Sequence, residues 1–333
     1  MSSRRLLLIL TFLFIAPRTT LAGEAIKIGF VLSTFQEERY EKDKKYFAEE
    51  AKRLGFEPVI LSAENNPQTQ RTKVENLLAM GVGAIVLQAV NSQAAANLVK
   101  LAHERKIPFI AYDRMIAEAP VDFYVTQDSF KVGVLQAEAA VKATKGKGKY
   151  VILQGQAGHS VANEITRGVK SVLAKYPGVK IVSDKPHDGW SSALATATIA
   201  TVLTQHDDKI AAILANNSGM AHGAVQALSE RDLLGQVFVA GADADLRSIK
   251  HILAGAQQFE VLKDISPLAR TSADVAFQLA KGKKPNVTST IKSGPYTIPM
   301  IATPVYAIDK SNIEEKIFKS GFHSRDAVLD KTK

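Results

Sequence analysis

Residues 106–115, Lys106-Ile-Pro-Phe-Ile-Ala-Tyr-Asp-Arg-Met115, carry an apolar run that ends on an adjacent carboxylate and guanidinium. Residues 108–111 read as a buried strand, and Asp113-Arg114 stands where that strand runs out. In an open α/β sheet, ligands bind at that carboxyl edge. Such a pair can be an ordinary strand-end salt bridge. It can also present acceptors and a planar fork of donors to neighbouring hydroxyls of a small polyol.

The chain on either side repeats one grammar. Strands are expected at 26–32, 58–62, 84–88 and 108–112, with helices at 37–54, 68–80 and 92–105 between them. Gly55 and Gly81 close the first two helices, and Asn91 or Ser92 caps the third. After a helix at 131–144 the pattern restarts. Strands at 150–154, 180–183, 211–215 and 238–242 alternate with helices at 161–176, 192–205 and 220–230. Apolar strands interleaved with helices predict parallel sheets covered on both faces. The fold class is therefore α/β, with two doubly wound Rossmann-like lobes whose strand ends face each other across a central cleft.

The last third is too sparse for a core of its own. A strand at 259–263, a helix at 266–280, a strand at 297–301 and a helix at 313–319 complete the two lobes. The chain must then cross between lobes near 125–128, 264–266 and 297–304, a multi-crossing hinge that bends while keeping the lobes in register. The expected domains are 1–22 as a signal peptide, 23–126 with 266–298 as the N-terminal lobe, and 127–265 with 299–333 as the C-terminal lobe.

Residues 1–22 have the form of an export signal: Arg4-Arg5, an apolar stretch at 6–16, and the small-residue site Thr20-Leu21-Ala22. The apolar run falls short of the roughly 20 residues a membrane span needs. Cleavage after Ala22 is expected. With no Cys in the chain, neither a lipid-modified Cys nor a disulfide can form, so stability must come from large cores. The expected location is the periplasm, exported and not lipidated. The 42 Lys and Arg against 33 Asp and Glu give +9, and +6 once Arg4, Arg5 and Arg18 are removed. The basic residues are scattered, which argues against nucleic acid as a partner.

Polar side chains recur at strand ends in both halves: Arg39-Tyr40, Asp113-Arg114, Asn163, Asp188-Gly189-Trp190, Asn216-Asn217, Asp243 and Lys263. A pyranose explains that mixture, having a rim of hydroxyls that donate and accept and an apolar C–H face. Asp, Asn, Arg and Lys match the hydroxyls, and Trp190 or Tyr40 stacks on the C–H face. An unpaired buried hydroxyl would cost about 1–3 kcal/mol, so a dry site needs a dense polar lining. Asp245 reads as the cap of the following helix, His222 as structural, and His103, His159, His206 and His323 as surface residues without zinc-ligand spacing. Gly81-Val-Gly83 precedes a strand and cannot be a dinucleotide loop. No nucleophile elbow, phosphate loop or calcium loop is present. No metal, cofactor or catalytic residue is expected.

From 26 to about 323 the chain resembles the type I periplasmic sugar-binding proteins of ABC transporters. The most specific stretches are Glu38-Arg-Tyr-Glu-Lys-Asp43, Ala111-Tyr-Asp-Arg-Met115, Asp188-Gly-Trp190, Asp243-Ala-Asp-Leu246, Thr303-Pro304 and Gly321-Phe-His323. The resemblance implies ligand contacts from Arg39, Asp113, Arg114, Asn163, Trp190, Asn217, Asp243 and Lys263, with Tyr40 as an aromatic face. Tyr40 replaces an expected Trp, and Asn216-Asn217-Ser218 replaces a Ser-Asn-Asp pattern. Residues 155–165 match poorly, which leaves Glu164 and Arg167 as alternatives to Asn163.

It implies a monomer that closes on a monosaccharide, D-xylose foremost, and delivers it to a membrane permease. Glucose, galactose, arabinose or ribose are the alternative sugars, and a chemoreceptor or sensor kinase is a further partner. Two rivals are a secreted sugar-modifying enzyme using Asp113 and Asp243, and a sugar-responsive regulator. Arg114 beside Asp113 should hold it ionised, an acceptor and not a general acid. A regulator would need a DNA-binding helix-turn-helix where the export signal stands.

Overall fold

In strand β1 (Lys27–Leu32), Ile28, Phe30 and Leu32 enter one apolar core while Val31 enters another. The same alternation in β3 (Ala84–Leu87) sends Ala84 and Val86 to the first core and Ile85 and Leu87 to the second. Side chains of a strand alternate between faces, so a strand apolar on both sides must lie inside a sheet covered twice. The computed structural model describes residues 25–330. The expected signal peptide lies outside them.

The first sheet also takes β2 (Glu57–Ser62), β4 (Phe109–Tyr112) and β5 (Phe123–Gln127). Between its strands run α1 (Arg39–Leu54), α2 (Pro67–Ala79) and α3 (Ala96–Glu104). Then α4 (Ser129–Thr144) leads into a second sheet of β6 (Gly148–Gln154), β7 (Val179–Pro186), β8 (Ala212–Ala215), β9 (Phe238–Ala242) and β10 (Phe259–Leu262). Its intervening helices are α5 (Ser160–Leu173), α6 (Ser192–Gln205), α7 (Ser218–Ser229) and α8 (Leu246–Ala254). The chain returns to the first lobe through α9 (Ile265–Ala280), β11 (Ser289–Ser293) and β12 (Tyr296–Thr303). It ends in the second lobe with β13 (Tyr306–Ile308) and α10 (Arg325–Leu329).

The sheet orders are β11-β12-β5-β4-β3-β1-β2 and β13-β10-β9-β8-β6-β7. Numbered within its own lobe, each contains the doubly wound order 2-1-3-4-5, with antiparallel pairing only at β11–β12 and β10–β13. That order puts the ligand crevice at the carboxyl ends of the strands. The two lobes therefore share a topology, as the repeated βα grammar predicts.

Two differences from the sequence expectation concern the crossings. The crossing expected near 125–128 follows a strand that was not expected, β5, paired with β4 and β12. The change of lobe expected after residue 298 falls between Thr303 and Tyr306. Residues Met300–Thr303 pair with Tyr124–Gln127, so β12 is one unbroken strand of the first sheet. Gln127 Nε2 donates to the Asp264 carbonyl at 2.9 Å and Thr303 Oγ1 to the Thr126 carbonyl at 3.2 Å, tying the crossings together. No helix of the described residues is long and apolar enough to cross a membrane.

Candidate ligand-binding site

Strand ends from both lobes meet around a cavity of about 290 Å3. From the first lobe come Gln36 and Glu37 after β1, Arg39 and Tyr40 on α1, and Asp113 and Arg114 after β4. Asp113 has a left-handed backbone, φ 61°, which turns its side chain away from that of its neighbour. Its N–H donates to Val125 O at 2.8 Å, while its carbonyl accepts from the Tyr124 hydroxyl at 2.9 Å. The turn is thus bonded to β5 before any ligand arrives.

The partner expected for Asp113 needs correction. Its Oδ2 accepts from Arg39 Nη1 at 3.2 Å and from Gln88 Nε2 at 3.0 Å, while Arg114 reaches elsewhere. Arg114 donates to Ala89 O at 3.0 Å and to the Tyr40 hydroxyl at 3.3 Å. Residues adjacent in sequence diverge because the turn separates them, and α1 brings Arg39 in from 74 positions away. Burial alone would raise the Asp113 pKa. Arg39, then Lys263 and Arg114, outweigh it and hold the carboxyl well below the usual carboxylate range. Arg39 is itself clamped by Asp43, whose other oxygen accepts from the Tyr112 hydroxyl.

The second lobe supplies the opposite wall. Asn217 caps α7, its Oδ1 accepting from Met220 N–H at 2.9 Å, and lines the cavity as well. Asp243 and Ala244 both have positive φ, 101° and 56°, unusual for residues with a Cβ. Lys263 Nζ lies 3.4 Å from Asp243 Oδ1, and the lysine is only 4% exposed. Gly155 makes room for the Trp190 indole: a Cβ there would sit 2.4 Å from the ring. Trp190 stands edge-on to His159, with ring centroids 5.2 Å apart.

Eight of the nine side chains singled out in the sequence line this one cavity: Arg39, Tyr40, Asp113, Arg114, Trp190, Asn217, Asp243 and Lys263. Asn163 does not. It lies on a neighbouring cavity beside the hinge with Met115, Tyr124 and Met300. The alternatives fare no better, since Arg167 and Glu164 pair with each other on the exposed face of α5. Only the first turn of α5 faces the cleft, and there His159 and Val161 occupy the wall.

His159, expected to be a surface histidine, is 5% exposed. Burial and the nearby Arg114 push its pKa down to about 2, so the ring is neutral. Asp245 also departs from expectation. It holds the N-cap position of α8 without a side-chain cap bond and lines the cavity instead. Burial, then Asp243 and Glu38, raise its pKa well above normal. Glu37 is raised as well, by burial against the pull of Arg114 and Arg39. Glu37 stands at the start of the helix expected over 37–54, and Asn216 beside Asn217, so sequence position pointed to both. Nothing in the sequence singled out His159.

Among the described residues, eight buried polar atoms of this lining make no hydrogen bond. Four belong to the first lobe: Glu37 Oε2, Arg39 Nη2, Asp113 Oδ1 and Arg114 Nε. Four belong to the second: His159 Nδ1, Trp190 Nε1, Asn216 Nδ2 and Asp243 Oδ1. The set holds both acceptors and donors, which suits a small molecule that both donates and accepts. Among the described residues no group of three or more His, Cys, Asp or Glu could hold a metal ion.

Residues 28–284 match the family described as "Periplasmic binding protein domain". The chain is 36% identical over 332 residues to the D-xylose-binding periplasmic protein of Escherichia coli, covering 98% of this chain and all of that one. It is 33% identical to the protein of the same name from Haemophilus influenzae, covering 91% and 92%. A solute-binding protein of Chloroflexus aurantiacus, solved with D-glucose, superimposes with a TM-score of 0.82 at 27% identity, covering 90% of this chain and 97% of that one. Two lobes of the same topology, a polar cleft between them and these matches have one meaning: the chain belongs to the periplasmic binding protein family.

Proposed function

We propose that the cleft captures a monosaccharide, D-xylose first among the aldoses, and that the protein delivers it in the periplasm to the permease of an ABC transporter. The observation that carries this reading is the set of eight buried polar atoms without a hydrogen bond contributed by both lobes. Each would cost about 1–3 kcal/mol if left without a partner. A pyranose hydroxyl can serve one donor and one acceptor at once, and the Trp190 indole offers a surface for its C–H face. Relatives whose names state D-xylose binding support the choice of sugar.

The ligand would bridge the lobes, so that its contacts favour the closed arrangement over an open one. Arg39, Asp113 and Arg114 would grip it from one side, and Asn217, Asp243 and Lys263 from the other. Asp113, held ionised by Arg39, acts as a hydrogen-bond acceptor and has no proton to give a leaving group. That argues against Asp113 as the general acid of a glycosidase.

Calorimetric titration with D-xylose, D-glucose, D-galactose, L-arabinose and D-ribose tests the reading. D-xylose is expected to bind most tightly and to be recovered unchanged after long incubation. No heat from any of the five sugars would end the proposal, and a converted sugar would replace it with an enzyme.

A further inference from the structure

A carboxylate that touches no part of the cleft lies beneath both turns of its second wall. Glu260 on β10 is fully buried. Its Oε2 accepts from the Ala244 N–H at 3.1 Å, inside the positive-φ turn that aims Asp243, and lies 3.1 Å from Ser218 Oγ at the start of α7, next to Asn217. Its Oε1 accepts from Gln257 Nε2 at 2.7 Å. A Cβ on Gly241 would stand 2.2 Å from that oxygen, so the glycine leaves space for the carboxyl.

The Ser218 hydroxyl has one hydrogen and three polar neighbours: Ala242 O at 2.9 Å, Glu260 Oε2 at 3.1 Å and the Asp245 N–H at 3.2 Å. The peptide N–H must donate to Ser218, and Ala242 O must accept from it. With Glu260 protonated and donating to Ser218 Oγ, the serine hydrogen is free for Ala242 O and each of these groups has a partner. With Glu260 ionised, Ala242 O and the carboxylate compete for one hydrogen.

We propose that Glu260 is a positioning residue for ligand binding, whose protonated carboxyl locks the Asp243–Asp245 turn and the start of α7 in the geometry that receives the sugar. This rests on the sugar-binding reading of the cleft. Burial pushes the Glu260 pKa up to about 7, against hydrogen bonds from Gln257, Ser248 and the Ala244 N–H that favour the ionised form, with Asp243 adding a little to the rise. Other titratable groups lie around it, and the Glu260→Gln control separates their titration from its own. From α7 and α8, His222 and His251 are pushed down by burial, His222 to about 3. Across the cleft rim, burial also lowers His323, with Lys42 contributing, while Asp245 is raised with help from Glu38 and Glu260. Proton loss from Glu260 should therefore loosen the turn, and sugar affinity should fall as pH rises through neutrality.

Two measurements test this. In 15N-resolved NMR of the sugar-free protein, the amides of Ala244 and Asp245 should titrate together with a midpoint near 7, and the same amides in Glu260→Gln should not move. In calorimetry with D-xylose, the wild type should bind about threefold more weakly at pH 8 than at pH 6, following the proton linkage. Glu260→Gln should bind more weakly than wild type at the lower pH and show no pH dependence, because one amide cannot accept from Ala244 and donate to Ser218 from the same atom. A purely structural Glu260 would lower the melting temperature and leave the pH profile intact, which overturns the proposal. So would Ala244 and Asp245 amides that ignore pH in the wild type. If no sugar binds, the function reading fails, while the amide titration still decides the role of Glu260.

Discussion

Asp113 shows how a single residue acquires its role from neighbours that sequence distance hides. Its two oxygens are unequal: Oδ2 is held by Arg39 and Gln88, and Oδ1 is buried without a hydrogen bond. Asp113→Ala should weaken D-xylose binding by about 2–4 kcal/mol, since both the ligand contact and the anchor of Arg39 are lost. Asp113→Asn keeps the shape but not the charge, and its loss should be smaller. Calorimetry on both variants checks this, and binding within a factor of two of wild type would show that the ligand does not use this oxygen. The Asp–Arg pair was legible in the sequence as a strand-end polar pair. Its true ion partner was not, because only the packing of α1 on the sheet brings Arg39 to it. His159 was illegible for a similar reason: nothing local distinguishes a histidine that packs under Trp190 from one on the surface.

At the scale of elements, helix α1 has the plainest sequence signature. Gly55 ends it in the left-handed conformation, φ 80°, returning its N–H to Ala51 O at 2.9 Å as an ordinary glycine stop does. The contact between α4 and α5 has no such signature. There the two backbones touch. A Cβ on Gly133 would lie 1.9 Å from Ile165 O, and one on Gly168 2.1 Å from Phe130 O. Gly133→Ala should therefore destabilise the fold despite favouring the helix, by about 1–3 kcal/mol of overpacking. Thermal unfolding would read this directly, and an unchanged melting temperature would mean the helices can separate without cost. Elements such as β5 and β11 escaped the sequence reading because each depends on its neighbours. β5 is a short strand between the 113–122 loop and the first crossing, and β11 is a largely exposed edge whose pairing with β12 is what makes it a strand.

The whole molecule is closed, and the rim of the cleft shows what closure adds. Glu38 Oε2 on the first lobe accepts from the Leu246 N–H of the second at 3.1 Å. His323 Nδ1 stands 3.8 Å from Glu38 Oε1, and its Nε2 lies 2.8 Å from Ala244 O. Lys42 Nζ sits 3.4 Å above the Phe322 ring. The motif Gly321-Phe-His323 thus reaches the other lobe and the turn behind Asp243 together. These contacts exist only with the lobes together, so Glu38→Ala combined with Lys42→Ala should favour the open form. We expect a larger radius of gyration in solution scattering without sugar, and affinity lower by about 1 kcal/mol, as partly exposed contacts contribute. Equal radii for variant and wild type would show the rim to be incidental.

The sequence alone determined that the chain forms two parallel α/β lobes with polar side chains at their facing strand ends. Strand and helix follow from local periodicity, and apolar runs must be buried on both faces wherever they occur. Which side chains share one crevice was decided only by tertiary structure. That includes Arg39 beside Asp113, His159 in place of Asn163, and Asp245 on the cavity wall. The reason is physical: a side chain's partner is set by where distant elements pack, and burial and charge are properties of that packing, not of the residue.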